Sequence, residues 1–197
     1  MTNVLHRATG AATRTGFGSA RGYSLIEILI VMALGVSLAG IAIPLSNDYI
    51  STTKSDSAVI ALTGALEAAK SRAVSERRNI RISFNGTSEV MVERIEVPSG
   101  TATLISKTPL EGGQVFYKFA IVDTPDHFGS GPAISFTGTA PYMFSSDGTL
   151  VDSNGDISNG TVFIGLPGKV DSARAVTIFG VTGLLRTWKW RGTQWVE

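Results

Sequence analysis

The stretch RGYSLIEILIVMALGVSLAGIAIP, from Arg21 to Pro44, contains a long uncharged apolar run that begins directly after a single carboxylate. Between Ile28 and Asn47 there are twenty residues without a charged side chain, and a helix of that length can cross about 30 Å of hydrocarbon. One carboxylate, Glu27, stands at the front of this run. Because a carboxylate within a membrane span costs about 2.5–3.5 kcal/mol on insertion scales, Glu27 requires a specific role.

The distribution of charge predicts how the chain is oriented. Its 197 residues include 17 basic and 16 acidic side chains, so the net charge indicates neither a nucleic acid nor an acidic partner. The first 22 residues contain three arginines and no acid, which leaves a net charge of −2 after Gly22. A basic head before an apolar run favours the cytoplasmic side. The chain has no cysteine, which excludes a disulfide framework and a Cys-ligated metal.

Three interpretations compete for residues 1–50. A secretory signal has an apolar core of about 7–15 residues and a small-x-small cleavage site; the apolar run here is longer, although Ala39 and Ala42 lie near its end. A plain membrane anchor fits the length but leaves Glu27 unexplained. In the third interpretation, which depends on the residues around Glu27, both the length and the carboxylate have a function.

Beyond the apolar run the pattern predicts more helix. Residues 48–79 form an amphipathic continuation that ends at Asn79, with charged residues on the opposite face. Its apolar stripe contains Val59, Leu62, Leu66, Ala69 and Ala73, together with the small residues Ala58, Ala61, Ala65 and Ala68. We expect this stripe to pack on the chain's own sheet.

From Ile80 the hydrophobic period changes from 3.6 to 2, which predicts strands. The Asn85-Gly86 step is a tight-turn signal, and 123–132 reads as an exposed loop. Residues 80–197 therefore form one β-rich body, and the whole is an α+β lollipop with a long N-terminal helix on an antiparallel sheet. The candidate strands after Ile80–Phe84 are EVMVERIEV, TATLIS, QVFYKFAIV, AISFTG, PYMFSS, TVFIGL, RAVTIFGV and LLRTWKW.

The amino-terminal pieces together form a known kind of signal. A basic leader ends in Arg21-Gly22, Tyr23 follows, then the run Ser24–Glu27, an apolar helix, and Pro44 late in it. These residues resemble the class III signal of type IV pilins and type II secretion pseudopilins. The resemblance implies a leader of residues 1–22, a transmembrane part at 23–47, cleavage by a prepilin peptidase between Gly22 and Tyr23, and methylation of the new amine of Tyr23.

The resemblance also implies roles for Glu27 and Pro44 in assembly. After cleavage Glu27 is the fifth residue of the mature chain, and it would dock the amino terminus of a neighbouring subunit. A free amine and a carboxylate buried together offset each other's desolvation. Pro44 lacks an N–H, so it kinks or locally melts the helix, or simply ends it.

Other stretches resemble one branch of that family. They are the helix ALTGALEAAKSRAVSERRNIRISF, the turn SSDGTL and a closing pair of strands, and they resemble the GspH/FimT branch of minor subunits. The resemblance implies a minor pseudopilin of a type II secretion system. Such a subunit is a single-pass protein of the bacterial inner membrane with a cytoplasmic N-terminus and a periplasmic body. Its partners would be other pseudopilins or pilins, the prepilin peptidase and the inner-membrane assembly platform, and it needs no cofactor.

Two alternatives stay open at this point. The first is a minor pilin of a type IV pilus, with or without DNA binding. The second belongs to another class: a membrane-tethered binding domain that never polymerises. The same leader, helix and peptidase serve secretion and pili, so the sequence does not separate them.

The sequence offers little support for an enzyme. His127 is the only histidine after Gly22, and no nucleophile elbow, phosphate-binding loop or His-Glu-x-x-His helix is present. Asp152, Asn154 and Asp156 alternate as calcium ligands do, but the twelfth loop position is Phe163, where an EF-hand requires glutamate. A polar turn with side-chain-to-backbone hydrogen bonds explains these residues better than a metal site.

The final stretch LLRTWKWRGTQWVE alternates basic and aromatic residues. Stacked aromatics beside cations bind single-stranded nucleic acid, and basic patches bind duplexes, so Arg186, Lys189 and Arg191 are possible DNA contacts. As a strand the segment would place Arg186 and Lys189 on opposite faces. The net charge of −2 after Gly22 argues against DNA, and tryptophans that cap the core are the favoured explanation.

Overall fold

The computed structural model describes residues 22–120, 122–128 and 131–197, with the side chains of 41–48 left out. The predicted leader, residues 1–22, lies outside this description except for Gly22. The chain divides at Ile43 and Pro44 into two units, and the second unit, Pro44–Glu197, contains every strand of the described residues.

Helix α1 runs from Leu25 to Glu76. It starts where the Ser24 carbonyl accepts the N–H groups of Glu27 and Ile28, at 3.0 and 3.2 Å. It ends because Arg77 adopts a left-handed conformation, with φ of 50°, and the Arg78 N–H then bonds the Ala73 carbonyl at 3.1 Å. This is the six-residue closure of a Schellman motif. The helix thus ends three residues before the predicted Asn79, and it does not end at Pro44.

One face of α1 packs on both sheets. Its buried residues include Ala58, Val59, Leu62, Ala65, Leu66, Ala69 and Ala73, as the apolar stripe predicted. Two residues of the predicted stripe are exceptions: Ala61 is half-buried and Ala68 is exposed, because both lie at the margin of the buried face.

The strands that follow form two antiparallel sheets. The strands are β1 (Ile80–Asn85), β2 (Glu89–Ile95), β3 (Ala102–Pro109), β4 (Val115–Phe116), β5 (Ile134–Phe136), β6 (Tyr142–Phe144), β7 (Leu150–Val151), β8 (Gly160–Leu166), β9 (Lys169–Phe179), β10 (Leu184–Trp190) and β11 (Trp195–Val196). The five-stranded sheet has the order β3-β2-β1-β6-β7. The six-stranded sheet has the order β11-β10-β9-β8-β4, and β5 also pairs with β8.

The predicted α+β class is confirmed, with a helix packed on antiparallel sheets. The exception among the predicted strands is QVFYKFAIV, of which only Val115–Phe116 is strand. The segment that follows places Phe119 and Val122 in a second apolar cluster with Ala173 and Trp190. Its alternating apolar residues therefore reflect packing on the outer face of the six-stranded sheet rather than strand pairing.

The stretch 123–132, predicted as an exposed loop, is partly buried where it is described. Pro125 is buried, and the Asp126 carboxylate accepts hydrogen bonds from Thr177 Oγ1 at 2.7 Å and Arg186 Nη1 at 3.3 Å. His127 is exposed. The polar composition predicted exposure, but these residues cover the outer face of the six-stranded sheet.

Leu66 tests the packing of α1 on the sheets. Its side chain is fully buried, so Leu66→Ala should lower the free energy of unfolding by about 2–5 kcal/mol. Ile60→Ala is the matched control on the same helix, since Ile60 is 71% exposed and should change stability by less than about 0.5 kcal/mol. Denaturant unfolding of the full chain in detergent, followed by circular dichroism, measures both. Equal effects would contradict this packing.

Candidate assembly helix and the polar contacts of the body

The first part of α1 is apolar on every side and exposed on every side. Its large apolar side chains between Leu25 and Leu38 are 50% to 76% exposed. The one hydroxyl in this part, Ser37, donates to the Ala33 carbonyl at 2.8 Å, so it presents little polarity to its surroundings. A helix that is hydrophobic all round is normally buried. We call residues 25–40 the apolar segment.

Glu27 is the one charged side chain of the apolar segment. It is exposed and lies in the first turn of α1, where free N–H groups favour a negative charge. Ser24 and Glu27 have the spacing of a capping box, yet within the described residues the Glu27 carboxylate has no hydrogen bond or ion pair.

The other predicted processing and assembly residues flank this segment. Gly22 and Tyr23 precede the helix, and both are exposed. Pro44 belongs to the helical backbone, but its side chain lies outside the described residues.

Among the described residues, no helix has the length and hydropathy that crossing a membrane requires. The predicted span 23–47 includes residues whose side chains lie outside the description.

A buried arginine joins α1 to the six-stranded sheet. Arg174 of β9 is only 2% exposed, and its Nε donates to Asp56 on the helix. Its Nη1 donates to the carbonyls of Asp171 and Ala173, both at 2.9 Å. Lys189 Nζ lies 3.4 Å from the other Asp56 oxygen. Burial alone would raise the pKa of Asp56, but the Arg174 hydrogen bond and the two positive charges outweigh it and hold that pKa below its usual value.

A second polar contact lies beside this one. Ser55 is fully buried and donates to Gln114 Oε1 at 3.0 Å. The helix and the segment before β4 approach closely here, since a Cβ on Gly112 would lie 2.7 Å from Lys54 Cβ. Sequence reasoning missed both contacts because STTKSDS, residues 51–57, reads as a solvated patch. Its one available signal was the spacing of Ser51, Ser55, Ala58 and Leu62, which continues the buried face.

The predicted calcium candidates form a turn centred on Asp152. Its Oδ1 accepts the N–H groups of Asn154 and Asp156, at 2.8 and 3.0 Å. Its Oδ2 accepts the Thr139 N–H at 3.1 Å and the Asn154 amide at 3.3 Å. These hydrogen bonds, with the Thr139 N–H first, lower the pKa of Asp152. In the described part of the chain, no three carboxylate or histidine side chains converge as metal ligands would.

The cations of the last strands do not share one face. Arg186 lies 3.3 Å from Asp126 and 3.9 Å from Glu197, on the outer face of the six-stranded sheet. Lys189 points to the inner face and to Asp56, and Arg191 follows β10. Trp190 is buried in the second apolar cluster, and Trp188 Nε1 donates to Thr177 at 3.0 Å. The tryptophans therefore pack within the body instead of forming an open stacking platform.

Comparisons with known proteins give similarity at the level of the fold. No family model and no curated protein matches the sequence. The minor pilin FimU of the Pseudomonas aeruginosa type IV system is a structural neighbour at 19% identity and a TM-score of 0.47, over 72% of this chain and 92% of that one. The minor pseudopilin EpsH of the Vibrio cholerae Type 2 Secretion System is another, at 14% identity and a TM-score of 0.45, over 68% of this chain and 96% of that one. FimU and EpsH come from the two classes that the sequence resembles.

The Asp56–Arg174 contact predicts a pH-dependent stability. Because the folded-state pKa of Asp56 is lowered, its contribution is present above the ordinary carboxylate pKa of about 3.9 and is lost as the pH falls through the folded-state value. Asp56→Asn should melt at a lower temperature than the wild type at pH 7, and this gap should close below about pH 3.9. Asp171→Asn, which alters an exposed carboxylate, should show no such gap. A gap that persists at low pH would contradict the ion pair.

The Asp152 turn predicts that calcium does not bind. Both carboxylate oxygens already accept N–H donors, so millimolar Ca²⁺ should give no binding heat and no change in melting temperature. Calorimetry on the full chain measures this. A binding heat that Asp152→Asn abolishes would overturn this expectation.

Proposed function

We propose that this chain is a minor subunit of a fibre built from pilin-like chains, specifically the pseudopilus of a type II secretion system. It acts by assembly and not by catalysis. Residues 23–47 anchor it in the bacterial inner membrane with a cytoplasmic N-terminus, and the body, residues 80–197, lies in the periplasm.

The exposed apolar segment is the observation that carries this proposal. Ten large apolar side chains from Leu25 to Leu38 are each at least half exposed. Each such side chain gains about 1.5–3 kcal/mol on full burial, so the segment is unfavourable in water. Lipid before assembly, and the helices of neighbouring subunits after it, provide the apolar surroundings that this surface needs.

Glu27 gives the assembly a specific contact. Cleavage after Gly22 by a prepilin peptidase creates an amine at Tyr23, and methylation of that amine preserves its positive charge. Inside a bundle of apolar helices, such an amine and the Glu27 carboxylate of a neighbour stabilise each other, while either one alone is strongly unfavourable. The Glu27 carboxylate has no partner within the described residues, and this supports the role.

Replacing Glu27 tests the contact. Glu27→Gln preserves shape and removes the charge, so it should reduce the incorporation of the subunit into fibres at least about tenfold, since unpairing a buried charge costs several kcal/mol. Glu67→Gln makes the same change at an exposed carboxylate further along the helix, and this variant should assemble normally. Cross-linking of the subunit to its neighbours in intact cells measures both variants. Normal assembly of Glu27→Gln would leave a membrane tether as the better explanation.

Deletion of the coding sequence distinguishes secretion from pili. The proposal predicts that folded proteins destined for the medium accumulate in the periplasm, while surface pili and DNA uptake are unchanged. Expression of the full chain should restore secretion. Loss of pili with normal secretion would instead assign the subunit to a type IV pilus.

A further inference from the structure

The five-stranded sheet contains a strand that is paired along only half of one edge. On one side β1 pairs with β2 from Ile80 to Asn85. On the other side β6 covers only Ile80 to Ile82. The second half of β1, residues 83–85, therefore presents an edge without a neighbouring strand in the described part of the chain.

The register shows which main-chain groups this edge presents. The Ile95 N–H bonds the Asn79 carbonyl, and in an antiparallel ladder the bonded pairs recur every second residue. Residues 81, 83 and 85 therefore bond β2, whereas 80, 82 and 84 direct their N–H and C=O groups to the opposite side. β6 meets 80 and 82. Among the described residues, the N–H and C=O groups of Phe84 have no partner.

Strand β5, across from this edge of β1, also has main-chain groups without partners in the described residues. The Phe163 N–H bonds the Ala133 carbonyl, and the Thr137 N–H bonds the Asn159 carbonyl, so the odd-numbered residues of this segment bond β8. The main-chain groups of Ile134 and Phe136 in β5 then point away from β8. In the described structure these N–H and C=O groups have no main-chain hydrogen-bond partner.

These two edges border one groove of about 660 Å³, lined by Phe84 and Ile134 together with Ile82 and Tyr142. At its rim Arg81 and Glu93 form an ion pair at 2.8 Å, so the rim carries no net charge. Main-chain donors and acceptors in apolar surroundings have little access to water, so leaving them unpaired costs free energy. An extended, uncharged polypeptide segment could form hydrogen bonds with these main-chain groups and pack its own apolar side chains against the apolar lining of the groove.

The groove is open because the chain before β6 is held elsewhere. By the register of β6, Ala140 is the residue that would pair with Phe84, but β6 begins only at Tyr142. The Thr139 N–H bonds Asp152, and the Thr139 carbonyl accepts the Ser153 N–H at 3.0 Å. Ser158 Oγ donates to the Thr137 carbonyl at 2.5 Å. The Asp152 turn and Ser158 thus hold Thr139 and Thr137 in hydrogen bonds outside β6.

We propose that this groove receives an extended strand from an adjacent subunit of the same fibre, which adds to β1 beyond the end of β6. The proposal rests on the proposed function, because the fibre holds a neighbouring chain next to the body. The neutral rim and the apolar lining favour a donor segment that is apolar and uncharged at its centre. Strand addition would supplement the contacts that the apolar segment makes in the fibre.

Amide hydrogen exchange at single residues tests strand addition directly. When the full chain assembles into fibres, the Phe84 amide should exchange at least about tenfold more slowly than in the free subunit. At least one of the Ile134 and Phe136 amides should be slowed to the same extent. The Ser106 amide, on the exposed outer strand β3, is the internal control and should be unchanged. Fibres in which the groove amides exchange as they do in the free subunit would overturn the inference and leave the proposed function intact. Failure to form any fibre would overturn both.

Variants of the groove provide a second test. The chain has no cysteine, so Ser83→Cys carries a unique cross-linker beside the groove, and Ser106→Cys is the same change on the outer strand. Ser83→Cys should capture a pilin-like subunit through an extended segment identified by mass spectrometry, at least about fivefold more often than Ser106→Cys. Adding Ala140→Lys, which places a charge at the groove, should abolish this capture, whereas Ser153→Lys should not. Equal capture at both cysteines would contradict the proposal.

Discussion

The apolar segment of α1 needs apolar surroundings that the described chain does not supply, and the proposed biology depends on this constraint. Ten large side chains are exposed around all sides of one helix, and within the described structure no other element covers them. The free energy of burying them is available to lipid or to other helices. A single carboxylate at the start of such a helix then becomes a selector, because only a partner with a positive charge makes its burial favourable.

The same helix serves a different purpose in the body. From Ser51 to Ala73 one face is buried, and it carries both core residues and polar ones. The buried Arg174 and the buried Ser55–Gln114 contact fix α1 to the sheet at defined points, in addition to the apolar packing around Leu62 and Leu66. The body can thus remain folded whether the apolar segment lies in lipid or among other helices.

Sequence reasoning found what local patterns encode. The change of period at Ile80, the Asn85-Gly86 turn and the runs of alternating residues located nearly every long strand. The assembly role of Glu27 stays a prediction. Long-range contacts were not predictable. Asp56 and Arg174 form an ion pair although they lie far apart in sequence. The two-residue strands β7 and β11 are defined only by their pairing with β6 and β10. The segment 123–128 is held in place by the hydrogen bonds that Asp126 accepts from Thr177 and Arg186. The sequence favoured a polar turn at Asp152, but it did not show that the same carboxylate accepts the N–H of the distant Thr139.

The mass of the amino-terminal peptide, from protein purified out of native membranes, shows whether the chain is processed as we propose. We expect a chain that begins at Tyr23, with or without a methyl group on its amine, because the proposed cleavage would create the amine that pairs with Glu27. A chain that still begins at Met1, or one cut beyond Ala39, would contradict this proposal.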